Sequence, residues 1–389
     1  MIRLKTECAY QAVNHVGEML CGDNIAIVEP DENTKVMVLA DGMGSGVKAN
    51  ILSTLTARIM STMIANNLDI EDCVRTVIST LPVCQDRQVA YCTFSVCCVR
   101  ENRHVTLYNY DNPLPFLMRA GKSFLPDYTS LIIADKKIDI ASFDAKLDDC
   151  IFMMSDGTLH AGTGPTLNYN WELPQIMSFM ENLYQKDMSA KALATTLVDR
   201  CNVMYNYEPG DDTSCAVTKI RLRSQISVMV GPPAHEYDDD RMVSLFLSKE
   251  GKHIVCGGTT AKVVARHLKR EVLAGEDDVN KELPPTSRIE GIDLVTEGQL
   301  TLRKVSEYAN DYLHANQEYF RWCYQWDGAS QIAQLLFEEA TDINIFIGSA
   351  MNAGYSENEG LGVERKMKLM ESLAEQLRKM DKNVKVIYF

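Results

Sequence analysis

Val36-Met37-Val38-Leu39-Ala40-Asp41-Gly42-Met43-Gly44-Ser45-Gly46 joins an unbroken apolar run to a carboxylate and three glycines at alternate positions. The five leading residues, mostly strand formers, read as a buried strand, and a long helical pattern starts near Val47. An acidic residue pinned at a strand end, beside backbone that can approach a ligand closely, is a common way to hold a hard metal ion. Two further stretches repeat the theme: Ile151-Phe152-Met153-Met154-Ser155-Asp156-Gly157, and Gly210-Asp211-Asp212-Thr213 ahead of a strand over 214–220. An Asp-Gly after a strand is ordinarily just a turn. Asp41 and Asp156 differ in that each closes a short apolar run, and Asp211-Asp212 mirrors them by opening one. The expectation is that these acidic ends meet at one metal site.

Outward from this stretch, residues 4–28 alternate weakly and suggest short strands, with Gly22-Asp23-Asn24 as a turn and Glu29-Pro30-Asp31-Glu32-Asn33 as a polar hairpin loop. Val47, Ile51, Leu55, Ile59 and Met63 recur every four residues and read as the buried face of a helix ending near Asn66-Asn67. Asp69 can cap a second helix carrying Ile70, Val74, Val77 and Leu81, with Pro82 just past its end. Strands are expected over 93–98, 105–110, 114–118, 138–140 and 151–155, with a turn at Asn112-Pro113, and helices over 172–184 and 189–205. This order lacks the regular βαβ alternation of a parallel sheet. It fits largely antiparallel sheets packed face to face with helices outside, an α+β fold.

The totals bound the partners. With 389 residues the chain can hold two domains, each with its own core. Acids outnumber Lys plus Arg by 53 to 39, for a net charge of −14. That argues against nucleic acid or an anionic membrane as the main partner, and favours cations or a basic protein surface. The 12 cysteines are scattered through apolar segments without a C-x-x-C pair, and neither a signal segment nor a membrane-length apolar run is evident. Reduced, mostly buried thiols in a cytoplasmic protein are expected.

Carboxylates brought together raise each other's pKa, and Mn2+ or Mg2+, which prefer oxygen ligands, would relieve the conflict. No His-Glu-x-x-His or cysteine cluster offers a zinc site, and no Gly-x-x-x-x-Gly-Lys-Ser/Thr loop is present. Asp41 also lacks the Asp-x-Asp spacing of aspartyl-phosphate enzymes.

Leu39-Ala40-Asp41-Gly42-Met43-Gly44-Ser45-Gly46, Met154-Ser155-Asp156-Gly157 and Asp211-Asp212-Thr213-Ser214, in that order, resemble the metal-dependent (PPM, type 2C) serine/threonine protein phosphatases, over about residues 15–222. The match is to the branch typified by stage II sporulation protein E. The resemblance implies a β-sandwich flanked by helical pairs, with the site at one end. It implies two Mn2+ or Mg2+ ions, with Asp41 bridging them, the Gly42 carbonyl on one, Asp156 and Asp211 on the other, and Asp23 holding a metal-bound water. Asp41, Asp156 and Asp211 would then be catalytic. Asp212 stands beside Asp211 as a further candidate metal ligand, with Asp211 favoured by alignment with the family pattern. The implied reaction is hydrolysis of phosphoserine or phosphothreonine by a metal-bridging hydroxide attacking phosphorus in line. A phosphorylated bacterial regulatory protein, such as an anti-sigma-factor antagonist, is the implied substrate. Three departures stand out. Gly22 occupies a position where many type 2C enzymes carry Glu, His160 stands where the family often has Glu, and Asp211 has an acidic neighbour. His160 reads as a partly exposed structural histidine and Asp111-Asn112 as a turn. The alternative reading is a catalytically inactive pseudo-phosphatase acting as a binding or signalling module.

After the polar link at 221–225 the rhythm changes. Short strands at 226–230, 253–256, 291–295, 343–347 and 384–388 alternate with helices near 238–247, 261–268, 300–313, 330–339 and 363–379. This reads as a C-terminal α/β domain with a mainly parallel three-layer sheet, so that residues 1–222 and 223–389 form two domains. Acidic 275–287 and Gly-rich 348–362 are expected loops. Gly257-Gly258-Thr259-Thr260 is a strand-to-helix turn that could hold an anion or be an ordinary tight turn. Glu297-Gly298 and Gly348-Ser349 are expected on the same sheet edge. A regulatory role is expected, with a small-molecule or protein effector, and a homodimer is compatible with this reading.

Overall fold

The run around Val36 is apolar throughout because both of its faces are covered. In the computed structural model, which describes residues 4–81, 92–161, 171–275, 283–314, 316–350 and 359–389, the chain divides into two compact units, Met1–Leu222 and Arg223–Phe389. The first unit runs β1 (Leu4–Val13), β2 (Asp23–Asp31), β3 (Thr34–Gly42), α1 (Gly46–Ala65), α2 (Ile70–Thr80), β4 (Cys92–Arg100), β5 (His104–Tyr110), β6 (Phe116–Arg119), β7 (Lys122–Phe124), β8 (Thr129–Ile133), β9 (Lys136–Asp144), β10 (Cys150–Met154), α3 (Gly157–His160), α4 (Leu173–Leu183), α5 (Ala190–Met204) and β11 (Thr213–Leu222). Its strands form two sheets, in the orders β1-β11-β10-β6-β7 and β2-β3-β4-β5-β9-β8, with antiparallel neighbours throughout.

Three apolar layers follow from the alternation of side chains along each strand. Met37 and Leu39 of β3 meet Ile151 and Met153 of β10 between the sheets. Val36, Val38 and Ala40 turn outward against α1 and α2, while Phe152 and Met154 turn outward against α4 and α5. The fold is thus α+β, a sandwich flanked by helical pairs.

One expected face holds only in its second half, where Ile59 and Met63 pack partly against the core. Val47, Ile51 and Leu55 of α1 are exposed, the first two by half or more, whereas Ala49, Ser53, Thr56, Ala57 and Met60 are buried. The cause is close approach: a Cβ on Gly42 would sit 2.1 Å from the carbonyl oxygen of Ala49. Where helix backbone lies that near strand backbone, only small side chains fit between them, so the bulky apolar residues face outward. α2 packs as its pattern predicts, through Val74, Val77 and the Leu81 that follows it, although Asp69 at its N-cap makes no side-chain capping bond. Pro82 lies outside the described residues.

The strands at 4–28 are long rather than short, and β2 extends through the expected hairpin loop to Asp31, with a bulge between Val28 and Asp31. β7 and β8 have no counterpart in the sequence reading, and β9 is longer than its expected core at 138–140.

The second unit runs β12 (Gln225–Val230), α6 (Asp239–Leu247), β13 (Lys252–Cys256), α7 (Gly258–Leu268), β14 (Leu273–Ala274), β15 (Ser287–Arg288), β16 (Leu294–Thr296), α8 (Gln299–Leu313), α9 (Tyr319–Trp322), α10 (Gly328–Ala333) continuing as a π-helical stretch over Gln334–Glu339, β17 (Asp342–Ile347), α11 (Glu359–Lys379) and β18 (Asn383–Tyr388). The sheet order is β14-β15-β16-β13-β12-β17-β18, parallel from β16 to β18 and antiparallel at the β14–β15 edge. Met229, Val255, Val295 and Phe346 face α6 and α7. On the opposite face α8 packs on α10 and α11. The expected Gly-rich loop at 348–362 gives way to helix from Glu359, and 351–358 and 276–282 lie outside the described residues.

Candidate metal centre

Antiparallel pairing places the acids. Asp23 at the start of β2 is directly opposite Asp41 near the end of β3, so both side chains leave the same face of the ladder. Asp156 follows β10, and Asp211-Asp212 precede β11, its antiparallel neighbour. These carboxylates of the two sheets meet at one end of the sandwich. Asp23 feels Asp212 and Asp156 across the gap, and Asp41 feels Asp23, Asp156 and Asp211.

The electrostatic consequence is large. Burial, reinforced by the neighbouring acids, pushes the carboxyls of both Asp23 and Asp41 well above the usual carboxylate range. The Ser214 and Ser155 hydroxyls face Asp23 and pull its pKa partly back, yet neither Asp23 oxygen has a hydrogen-bond partner. Asp211 is also raised, by burial and then by Asp156. Buried carboxylate oxygens without partners are costly, and an all-oxygen donor set suits a hard divalent cation. The residues therefore fit Mg2+ or Mn2+. Among the described residues no three acids, thiols or imidazoles already close on a single ion position.

Asp211 and Asp212 play different parts. Asp212 is buried; its Oδ1 accepts the His15 N–H at 2.9 Å, and its Oδ2 is buried without a partner. A Cβ on Gly22 would lie 2.6 Å from that Oδ2. The volume that a side chain at position 22 would claim is thus taken by the Asp212 carboxylate. Asp211 is half-buried, and its Oδ1 accepts the Asp212 N–H at 2.9 Å. Gly42 is the last residue of β3, and its N–H donates to the Gly22 carbonyl at 3.3 Å. His160 ends α3 with Nε2 3.9 Å from Asp156 Oδ2, beside the site and more than half exposed.

Several participants escaped the sequence reading. Ser155 and Ser214 tie the end of β10 to the start of β11 within one sheet: the Ser214 N–H donates to Ser155 Oγ at 2.9 Å. Tyr205 donates its hydroxyl to the Gly157 carbonyl at 2.8 Å and so anchors the loop carrying Asp156. The Cys21 thiol is driven upward in pKa by burial and then by Asp23 and Asp212. Only the serines carried a signal, as hydroxyls beside the acids in both motifs.

The profile of the stage II sporulation protein E (SpoIIE) family matches residues 31–221. This segment is similar to the SpoIIE family. The SpoIIE-type segment is 21% identical over 161 residues to stage II sporulation protein E of Priestia megaterium, covering 40% of this chain and 27% of that protein. The chain therefore spans about a quarter of that curated relative's length. Among solved structures, the PP2C phosphatase domain with a regulatory-domain fragment of SpoIIE from Bacillus subtilis is 18% identical, with a TM-score of 0.48 over 57% of this chain and 65% of that one. The catalytic domain of the serine/threonine protein phosphatase PstP with two manganese ions is 12% identical, with a TM-score of 0.39 over 56% and 100%.

Proposed function

We propose that the SpoIIE-type unit is a divalent-metal-dependent phosphatase acting on phosphoserine or phosphothreonine of a regulatory protein. The observation that carries this reading is the meeting of Asp23, Asp41, Asp156 and Asp211-Asp212 from both sheets, with both Asp23 oxygens buried and unpartnered. Asp41, Asp156 and Asp211 are the acids assigned to hold the cations, with Asp23, opposite Asp41 on the neighbouring strand, assigned to a metal-bound water and Asp212 bracing the segment around Gly22. Bound divalent cations supply Lewis acidity, which lowers the pKa of water and neutralises charge on a phosphoryl group. The protein contributes placement: Tyr205 fixes the Asp156 loop, and the 2.9 Å bond from His15 holds Asp212. No protein nucleophile is required by this set.

Hydrolysis of p-nitrophenyl phosphate with Mn2+, with Mg2+ and with EDTA tests the reading. Turnover should need the metal and vanish in Asp41→Asn while the fold persists. Metal binding without turnover would favour the pseudo-phosphatase, and undiminished Mn2+-dependent turnover in the mutant would sink the assignment.

For residues 223–389 an effector-binding role is the reading that the parallel sheet supports. The loops following β12, β13, β16 and β17 share its C-terminal edge. Two features narrow it. Thr260 is buried, with its Oγ1 accepting the Gly231 N–H, and the Glu297 carboxylate already accepts the N–H groups of Gln299 and Leu300 at the start of α8. The α7 start has no side-chain cap. Calorimetry against nucleotides and metabolites tests the role; no binding, with activity unchanged after removal of 224–389, counts against it.

Among the described residues no helix is long and apolar enough to cross a membrane, and all eleven described cysteines are free thiols.

A further inference from the structure

The sheet edge that carries Asp41 continues sideways into a cleft of about 430 Å3. Asp41 is opposite Thr93 on β4, and Phe94 is opposite Tyr110 on β5, so Asp111 follows two strands from Asp41. At about 4.8 Å per strand the separation is roughly 10 Å. Tyr110, Asp111, Asn112, Asp135 and Lys136 line the cleft, with Asn109 beneath them.

Its floor is a closed polar ring. Thr93 Oγ1 donates to Asn112 Oδ1 at 2.5 Å, Asn112 Nδ2 to Ser95 Oγ at 3.2 Å, Ser95 Oγ to Asn109 Oδ1 at 2.6 Å, and Asn109 Nδ2 to the Asn112 carbonyl at 2.8 Å. Ser95, Asn109 and Asn112 are all buried. A buried polar network that satisfies its own members is rigid. It fixes the turn at 110–113 and ties it to Thr93, the cross-strand partner of Asp41.

The walls are suited to a cation. Lys136 already sets its ammonium 5.4 Å from the centre of the Tyr110 ring. Lys137 is held by Asp139 at 3.0 Å. Asp111 and Asp135 lie on left-handed turns, at φ 59° and 62°, and neither has an ion-pair or hydrogen-bond partner among the described residues. Two unneutralised carboxylates thus share one cleft, beside the Tyr110 ring that Lys136 covers, on the edge that carries the acidic centre.

We propose that this cleft docks a lysine or arginine side chain of the phosphoprotein substrate, beside its phosphorylated residue. The proposal rests on the phosphatase reading. An extended chain advances about 3.3 Å per residue, so the basic residue falls about three positions from the phosphorylated one.

The test uses the full chain and phosphothreonine peptides carrying arginine or alanine at each of the flanking positions. Both kcat/KM and peptide affinity by fluorescence anisotropy are read, with p-nitrophenyl phosphate as the small substrate. Arginine about three residues away should improve kcat/KM by about fivefold, through KM, the scale of a partly exposed ion pair. Asp111→Asn/Asp135→Asn should erase that preference while p-nitrophenyl phosphate turnover stays unchanged. A flat arginine scan in the unaltered protein, or a preference that survives the double substitution, overturns the proposal while leaving the phosphatase reading intact. So does a fall in Mn2+ affinity in the double variant, which would make the cleft a metal position. Absence of p-nitrophenyl phosphate turnover would instead strike at the phosphatase reading. The anisotropy scan still decides docking in that case: an arginine preference supports the cleft and a flat scan overturns it.

Discussion

Gly42→Ala adds one methyl group where the structure leaves no room for it. The new Cβ would lie 2.1 Å from the Ala49 carbonyl oxygen, 2.7 Å from its carbon and 2.9 Å from its Cα. All three atoms are backbone, so no rotamer change can make way. Ordinary contact at 3.4 Å requires α1 to retreat from β3 by about 1.3 Å. Overpacking of this kind costs about 3 kcal/mol, the upper part of the usual range. For a unit of this size each kcal/mol moves Tm by roughly 2–4 °C, so the transition of the first unit should fall by roughly 6–12 °C. Gly44→Ala is the control. Its backbone is left-handed at φ 89° with open space around it, so it incurs only the conformational penalty of about 1–2 kcal/mol. Scanning calorimetry of both variants in the full chain, with Mn2+ titrations, separates the effects. A Gly42→Ala protein melting within about 2 °C of the parent, or above Gly44→Ala, would refute the close approach of α1 to β3.

Three other outcomes are expected. Val47→Ser and Ile51→Ser should each change stability by no more than about 0.5 kcal/mol, whereas Met60→Ala should cost about 2–5 kcal/mol; denaturant melts that reverse this order would restore the sequence-based face of α1. The raised carboxyls of Asp23 and Asp41 mean that the folded protein holds protons the unfolded chain releases near pH 4, so the metal-free protein should lose stability as pH rises from about 5.5 to 8. Mn2+ replaces those protons, and its stabilisation should grow with pH over the same window; equal melting shifts at both ends would contradict this account. Arg119→Ala strips the ion pair from Asp149, whose side chain is fully buried, and should cost about 3–5 kcal/mol, checked by denaturant unfolding with Asp149→Asn as the paired variant.

The legible parts of the fold were those covered on both sides. β3 and β10 lie between the inner core and an outer helical layer, which makes every residue of their central runs apolar. β8 is a sheet edge whose short run Leu131-Ile132-Ile133 buries only Ile133, too brief and one-sided to stand out as a strand. The helix over 46–65 was legible, but its orientation was not, because a period of four reports amphipathicity and not how near the neighbouring backbone comes. At the site, the acids stood out as carboxylates at strand ends. The contributions of Tyr205 and His15, and the crowding of Gly22 by Asp212, come from segments distant in the chain and leave no local pattern.

The bulge between Val28 and Asp31 has a reach well beyond its hairpin. Asp31 is opposite Thr34, and continuing that register without interruption would bring Asn24, not Asp23, opposite Asp41. One extra residue in the hairpin therefore chooses which side chain confronts Asp41 about 17 Å away, at 3.3 Å per residue. Pairing the unaltered residues without the bulge would exchange a carboxylate for an amide at the centre, whereas deleting Glu29 or Pro30 removes the extra residue and leaves Asp23 opposite Asp41 in a regular ladder.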